Sequence, residues 1–195
     1  VAIEWSVRVN QAITIDDAAH LAGRFVGDLL GEGVEAFRVE VVEATCERLR
    51  GGSSGPVAPD VLTTSRDPFG DSDSRHADVV FRVPALPALA YISMAEHVPR
   101  DEDPESGMFV TVSSARSNES QVLAIAAASA FAELAAGDVI DESGCLGGER
   151  FMSPRAVIER LGAVSPASSV AAAVDTVLAR TTLRRDYQPL SATQI

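Results

Sequence analysis

The sequence predicts an α+β fold, an antiparallel or mixed sheet of about five strands with helices packed against it and two further helices toward the C-terminal end. Three observations predict it. Short segments alternate apolar and polar residues with the period of two that marks a half-buried strand. Longer segments place apolar residues at helical spacing behind a capping residue. The strand patterns also cluster as a meander with polar turns, where a βαβ fold would alternate strands with helices.

The first strand covers Trp5 to Asn10, where Trp5, Val7 and Val9 alternate with Ser6, Arg8 and Asn10. A helix follows. Thr14 can cap its first turn, with Asp17 at the reciprocal capping-box position and Ile13 and Ala18 at hydrophobic-staple spacing. Ala18, Leu21, Ala22, Phe25 and Leu29 share one face, and Gly31 or Gly33 can end the helix in a left-handed turn. Phe37 to Ala44 reads as a second strand whose alternation breaks at Val42, the mark of a bulge.

Residues 50–76 are dominated by Gly, Ser, Pro, Asp and Thr and read as a long irregular loop. Strand patterns return at Asp78 to Val83, Ala88 to Ala95 and Met108 to Val112. Asn118, with Gln121 three residues on, opens the most apolar helix of the chain, in which only Ser129 and Glu133 are polar between Val122 and Ala136. Burial on most sides is the expectation, and small residues suit it to close packing. Gly137 is the expected stop, with a short strand at Asp138 to Asp141. Two helices complete the fold, one from Ser153-Pro154 to Gly162 and one opened by Ser165-Pro166 with Val170, Ala173, Val174, Val177 and Leu178 as its stripe. The organisation expected is a single domain over residues 1–180 and a polar tail over 181–195.

Composition narrows the function classes. All 16 basic residues are arginine, 28 carboxylates outnumber them, and the net charge is -12. The lack of lysine, with abundant Ala, Val, Gly and Arg, is what a GC-rich bacterial coding sequence produces. A lysine-free chain forms no Schiff base and supplies no P-loop lysine. Its negative charge opposes nucleic-acid binding, whose affinity comes mainly from neutralised phosphates. No apolar run is long enough for a membrane helix, and Cys46 and Cys145 have no metal-type spacing, so a soluble cytoplasmic protein without cofactor or metal is the expectation.

Candidate sites are few. Gly51-Gly52-Ser53-Ser54-Gly55 has the written pattern of a hydrolase nucleophile elbow, but Pro56 follows where a helix is needed. Cys145, in Ser143-Gly144-Cys145-Leu146-Gly147-Gly148, is the stronger nucleophile candidate, with glycine amides for an oxyanion and His20, His76 or His97 as the base. Glu96 and His97 close a strand and offer acid/base groups. Asp67, Asp71 and Asp73 supply hard oxygen donors but miss the EF-hand spacing. Ser113, Ser114, Arg116 and Ser117, before the Asn118 helix, form the best small anion-site candidate through hydroxyls, an arginine fork and helix-start amides.

Residues 1–149 carry a net charge of -15 and residues 150–195 a net +3. The acidic patches Asp67, Asp71, Asp73 and Asp101, Glu102, Asp103, Glu105 are candidate contacts for a basic protein partner. The apolar helix leading into Gly137 to Asp141 is loosely similar to bacterial toxin-immunity proteins, in which an α+β domain blocks its toxin, often through acidic residues. That similarity implies a non-enzymatic interaction protein. The alternative is a small-molecule-binding protein or hydrolase-like enzyme using Cys145, His97 or the Ser113 to Ser117 turn.

Overall fold

Alternating burial along five long segments builds the sheet of this computed structural model, which describes residues 4–32, 37–48, 55–60, 62–64, 74–97, 107–162 and 167–182. The long strands are β1 (Glu4–Val9), β2 (Glu40–Arg48), β4 (Ser74–Val83), β5 (Ala88–His97) and β6 (Gly107–Ser114). Three two-residue strands, β3 (Gly55–Pro56), β7 (Val139–Ile140) and β8 (Phe151–Met152), extend it to eight, in the order β3-β2-β4-β5-β6-β1-β7-β8. Every neighbouring pair is antiparallel. The class is therefore α+β, as the patterning predicts, and the extra strands are too short to leave a periodic signal. Both edges are blunted, by Pro56 on β3 and by the brevity of β8, which discourages edge-to-edge pairing.

The helices are α1 (Ile15–Leu30), α2 (Asn118–Leu134), α3 (Pro154–Leu161) and α4 (Val170–Ala179). With alternate strands reversing, β1 and β2 run the same way with three strands between them, and α1 makes the crossover. Likewise α2 crosses from β6 to β7 over the intervening β1. Two split crossovers thus place both long helices on one face of the sheet. Trp5, Val7, Val79, Phe81, Ile92, Met94, Val110 and Val112 point to that face and are buried.

In α2 every residue from Ser120 to Ala132 is buried. The helix packs on β5, β6 and β1 and against α1, α3 and α4, so it has no solvent side to keep polar. Phe131 reaches from it to Phe81 on β4 with the rings stacked at 6.4 Å. Two buried polar atoms in this layer, Ser129 Oγ and Trp5 Nε1, have no hydrogen-bond partner among the described residues.

The ends of α1 follow their caps. Thr14 Oγ1 accepts from the Asp17 amide at 3.1 Å, and Gly31 takes the left-handed φ of 69°. Within the irregular stretch, Thr63 bridges Thr14, and the Thr64 hydroxyl donates to the Gln11 carbonyl while accepting the Ile13 amide. Other boundaries differ from expectation. The cap of α2 is Ser117, whose hydroxyl accepts the Ser120 amide, because Asn118 is already helical. The chain turns left-handed after it at Ala136, with φ 52°, and Gly137 instead closes the turn by donating to the Ala132 carbonyl. Strand β2 starts three residues later than read, at Glu40, and carries its bulge between Val41 and Glu43. Ser165-Pro166 lies outside the described residues, and α4 is capped by Ser169.

Gly23 has a packing role in α1, since a Cβ there would stand 2.5 Å from the Phe37 carbonyl oxygen. Gly23→Ala is expected to lower stability in urea titration by about 1–3 kcal/mol through overpacking, although the same change in an open helix gains roughly 1 kcal/mol. Ser129→Ala, which removes a buried hydroxyl with no partner, is expected to raise the melting temperature by about 2–4 °C, the equivalent of roughly 1 kcal/mol.

Candidate functional site

The acidic residues Asp67, Asp71, Asp73, Asp101, Glu102, Asp103 and Glu105 lie outside the described residues. So do the side chains of Glu96 and His97, whose backbone ends β5 with His97 opposite Gly107. Two other expected sites are described in full, and in each the central donors are already engaged, by the cap of α2 at Ser117 and by Asp141 in the Cys145 loop.

At the start of α2, the Ser117 hydroxyl caps the helix, contacts Ser120 Oγ at 2.8 Å and donates to the Pro87 carbonyl. Ser120 Oγ in turn accepts the Leu89 amide. Ser113 and Ser114 are consecutive in β6, so their side chains leave opposite faces of the sheet, and Arg116 is exposed. The strand thus separates the two hydroxyls that sequence proximity suggests are together.

The Cys145 loop is organised by Asp141, a buried carboxylate. Asp141 Oδ1 accepts the Cys145 amide at 3.1 Å and the Ser143 hydroxyl at 3.0 Å, and Oδ2 accepts the Leu146 amide at 2.6 Å. The amides nearest the thiol, which an oxyanion would require, are therefore held by a carboxylate that would repel it. The Cys145 thiol itself meets Ser143 Oγ at 2.9 Å. Of the histidines proposed as its base, His76 pairs with Asp78 on β4, and His20 lies on the exposed side of α1.

What the structure does assemble is the sheet face opposite the helices. No described element packs on it. Strand register sets its rows: Glu43, Val80, Tyr91, Ser113 and Glu4 lie side by side across β2, β4, β5, β6 and β1. At the usual strand spacing, Tyr91 has a carboxylate about 10 Å away on either side. The next row runs Thr45, Asp78, Ser93, Thr111, Ser6, Ile140 and Phe151.

The exposed large hydrophobics among the described residues are Val42 (45%), Tyr91 (46%) and Phe151 (53%), and all three belong to this face. Val42 is there because the β2 bulge adds one residue to the strand. No family model, curated protein or solved structure matches the chain.

Two arginine–carboxylate pairs and one histidine–carboxylate hydrogen bond lie along or beside the sheet face. Arg82 pairs with Glu40 at 2.7 Å, His76 lies 3.1 Å from Asp78, and Arg150 pairs with Glu142 at 2.8 Å while covering the Phe151 ring at 5.4 Å. Glu4 and Glu43 have no ion-pair partner among the described residues, which leaves the Tyr91 row negative. Beside Phe151 a cleft of about 430 Å³ opens, lined by Arg8, Asn10, Phe109, Ile140 and Arg150. No group of three or more His, Cys, Asp or Glu side chains with metal-binding geometry occurs among the described residues. No described helix is long and apolar enough to cross a membrane.

Sequence reasoning missed Tyr91, Val42, Phe151, Glu4 and Glu43. Alternation shows that each faces outward in its own strand; only strand order brings them together.

Asp141→Ala is expected to cost about 2–3 kcal/mol, because it strands two backbone amides that the carboxylate now satisfies. The same change should speed modification of Cys145 by a thiol reagent, read against Cys46→Ala in both backgrounds.

Proposed function

We propose that this protein is a non-enzymatic binding protein whose uncovered sheet face receives a basic protein partner. The observation that carries this reading is the convergence of all three exposed large hydrophobics of the described residues on one face, with unpaired Glu4 and Glu43 flanking Tyr91. Aromatic side chains that are half-exposed alone and buried on association supply most of the energy of protein interfaces. Acids around them steer a basic partner and reject acidic ones. A net charge of -12 acts in the same sense at longer range.

Blocking a basic toxin, as immunity proteins do, is the form of this reading that the acidic excess favours. The segments Asp67 to Asp73 and Asp101 to Glu105 would add to the attraction. Asp67, Asp71 and Asp73 make up one acidic run of the sequence, and Asp101, Glu102, Asp103 and Glu105 the other. The hydrolase-like alternative is the weaker one, because Asp141 already holds the Cys145 and Leu146 amides.

The test is affinity capture of basic proteins from the source organism, followed by binding titrations with the purified candidate. Tyr91→Ala with Phe151→Ala, and separately Glu4→Arg with Glu43→Arg, should each weaken binding by about tenfold or more. Asp175→Arg on α4, on the helix side, should leave it unchanged. Binding should also fall as salt rises to roughly 0.5 M, where exposed charges are screened. Retention that is indifferent to both double variants would overturn the proposal.

A further inference from the structure

The helix side of the molecule carries a second feature of opposite charge. Between α1 and the segment Phe37–Val39 runs a groove of about 490 Å³. Its floor is apolar, made by buried Ala19, Phe37 and Val39, and its walls carry His20, Arg24, Arg38 and Asp16. His20 and Arg24 are one helical turn apart on α1, so they share a face. Arg38 joins them because Gly23, next to Arg24, lets the Phe37 backbone approach α1 more closely than a side chain would permit.

Arginine is otherwise used sparingly here. Arg82, Arg150 and Arg155 pair with carboxylates, Arg160 and Arg180 bind backbone carbonyls, and Arg8 is also engaged. Among the described side chains, only Arg24, Arg38 and Arg116 hold no partner, and two of these three line this one groove. Two guanidinium groups and an imidazole, set together with a single carboxylate, Asp16, in a chain of net charge -12, fit an anion that the groove brings in. A long polyanion would be repelled by the rest of the molecule, so the ligand is small. Two arginine forks and an imidazole offer more donors than the two oxygens of a carboxylate can take, whereas a phosphate monoester presents three terminal oxygens and a double charge. The groove volume lies in the range of small-molecule sites.

We propose that this groove binds a small phosphate monoester, with Arg24, Arg38 and His20 on its phosphoryl oxygens and its organic part on Ala19, Phe37 and Val39. Asp16, one turn before His20, is the single carboxylate on the wall and sets an upper limit on affinity by opposing the anion. The site is independent of the sheet face proposed for a protein partner, and either can fail without the other.

Phenyl phosphate, inorganic phosphate and phenol serve as probes in calorimetric titration of the intact chain. Phenyl phosphate should bind with a dissociation constant on the order of 0.1–1 mM, inorganic phosphate more weakly, and phenol not measurably. Arg24→Ala with Arg38→Ala should weaken phenyl phosphate binding by at least about tenfold, and Asp16→Asn should tighten it several-fold. Arg116→Ala, which removes an equally unpartnered arginine elsewhere, should change nothing. Failure of phenyl phosphate to saturate up to roughly 10 mM would overturn the proposal. So would equal binding by the double variant, or an equal loss in Arg116→Ala.

Discussion

Burial of α2 on every side is the constraint on which the rest of this structure depends. A helix with thirteen consecutive buried residues needs a neighbour in each direction, and the chain supplies the sheet below it, α1 beside it and α3 and α4 around the remainder. Alanine is the residue that makes this possible, since it combines the highest helix propensity with a side chain small enough for backbones to approach. The consequence is one-sided. All four helices are drawn to the same face of the sheet, and the opposite face is left to polar residues, a few exposed apolar side chains and charges of which only some are paired.

Local structure was legible in the sequence wherever a single side chain decides it. Thr14 and Gly31 bound α1, Ser153-Pro154 and Gly162 bound α3, and Val42 marks the bulge in β2, each visible as a residue type in a fixed relation to its neighbours. The start of α2 was read one residue late because Asn118 and Ser117 are both good caps, and three-dimensional context chose Ser117 by giving its hydroxyl further partners in Pro87 and Ser120. Strand order was not legible, since alternation says which residues share a face of one strand and nothing about which strand lies next. That is why Glu4, Glu43 and Tyr91 were invisible as a group. Conversely, Cys145 and the Ser113 to Ser117 turn stood out because their residues are adjacent in sequence, whereas folding gives the Cys145 and Leu146 amides to the Asp141 carboxylate, uses the Ser117 hydroxyl as a helix cap and sets Ser113 and Ser114 on opposite faces of β6.

The arginine-only basic complement shapes the architecture as well as the charge. Arg160 sends its guanidinium to the Leu146 and Gly147 carbonyls, fastening α3 to the Asp141 loop. Arg180, at the end of α4, reaches the Leu161 and Gly162 carbonyls at the end of α3. A planar fork with several donors can satisfy two carbonyls at once and complements the negative end of a helix, which a point-like ammonium does less well. These bonds add to the apolar contacts by which Val157 and Leu161 of α3 and Ala173, Val174 and Val177 of α4 pack into the core.

The position of β1 sets the order in which the sheet can be completed. It is the first described strand, yet it lies between β6 and β7, pairing Val7 with Val110 and with Val139, partners more than 100 residues away in the chain. A nascent chain would therefore expose Trp5, Val7 and Val9, with their backbone donors unpaired, until most of the domain has been synthesised. Contacts of such high sequence separation make folding slow, because loop-closure entropy must be met before pairing rewards it. The meander β4-β5-β6 can form early from local hairpins, and β1 can join only once β6 is in place.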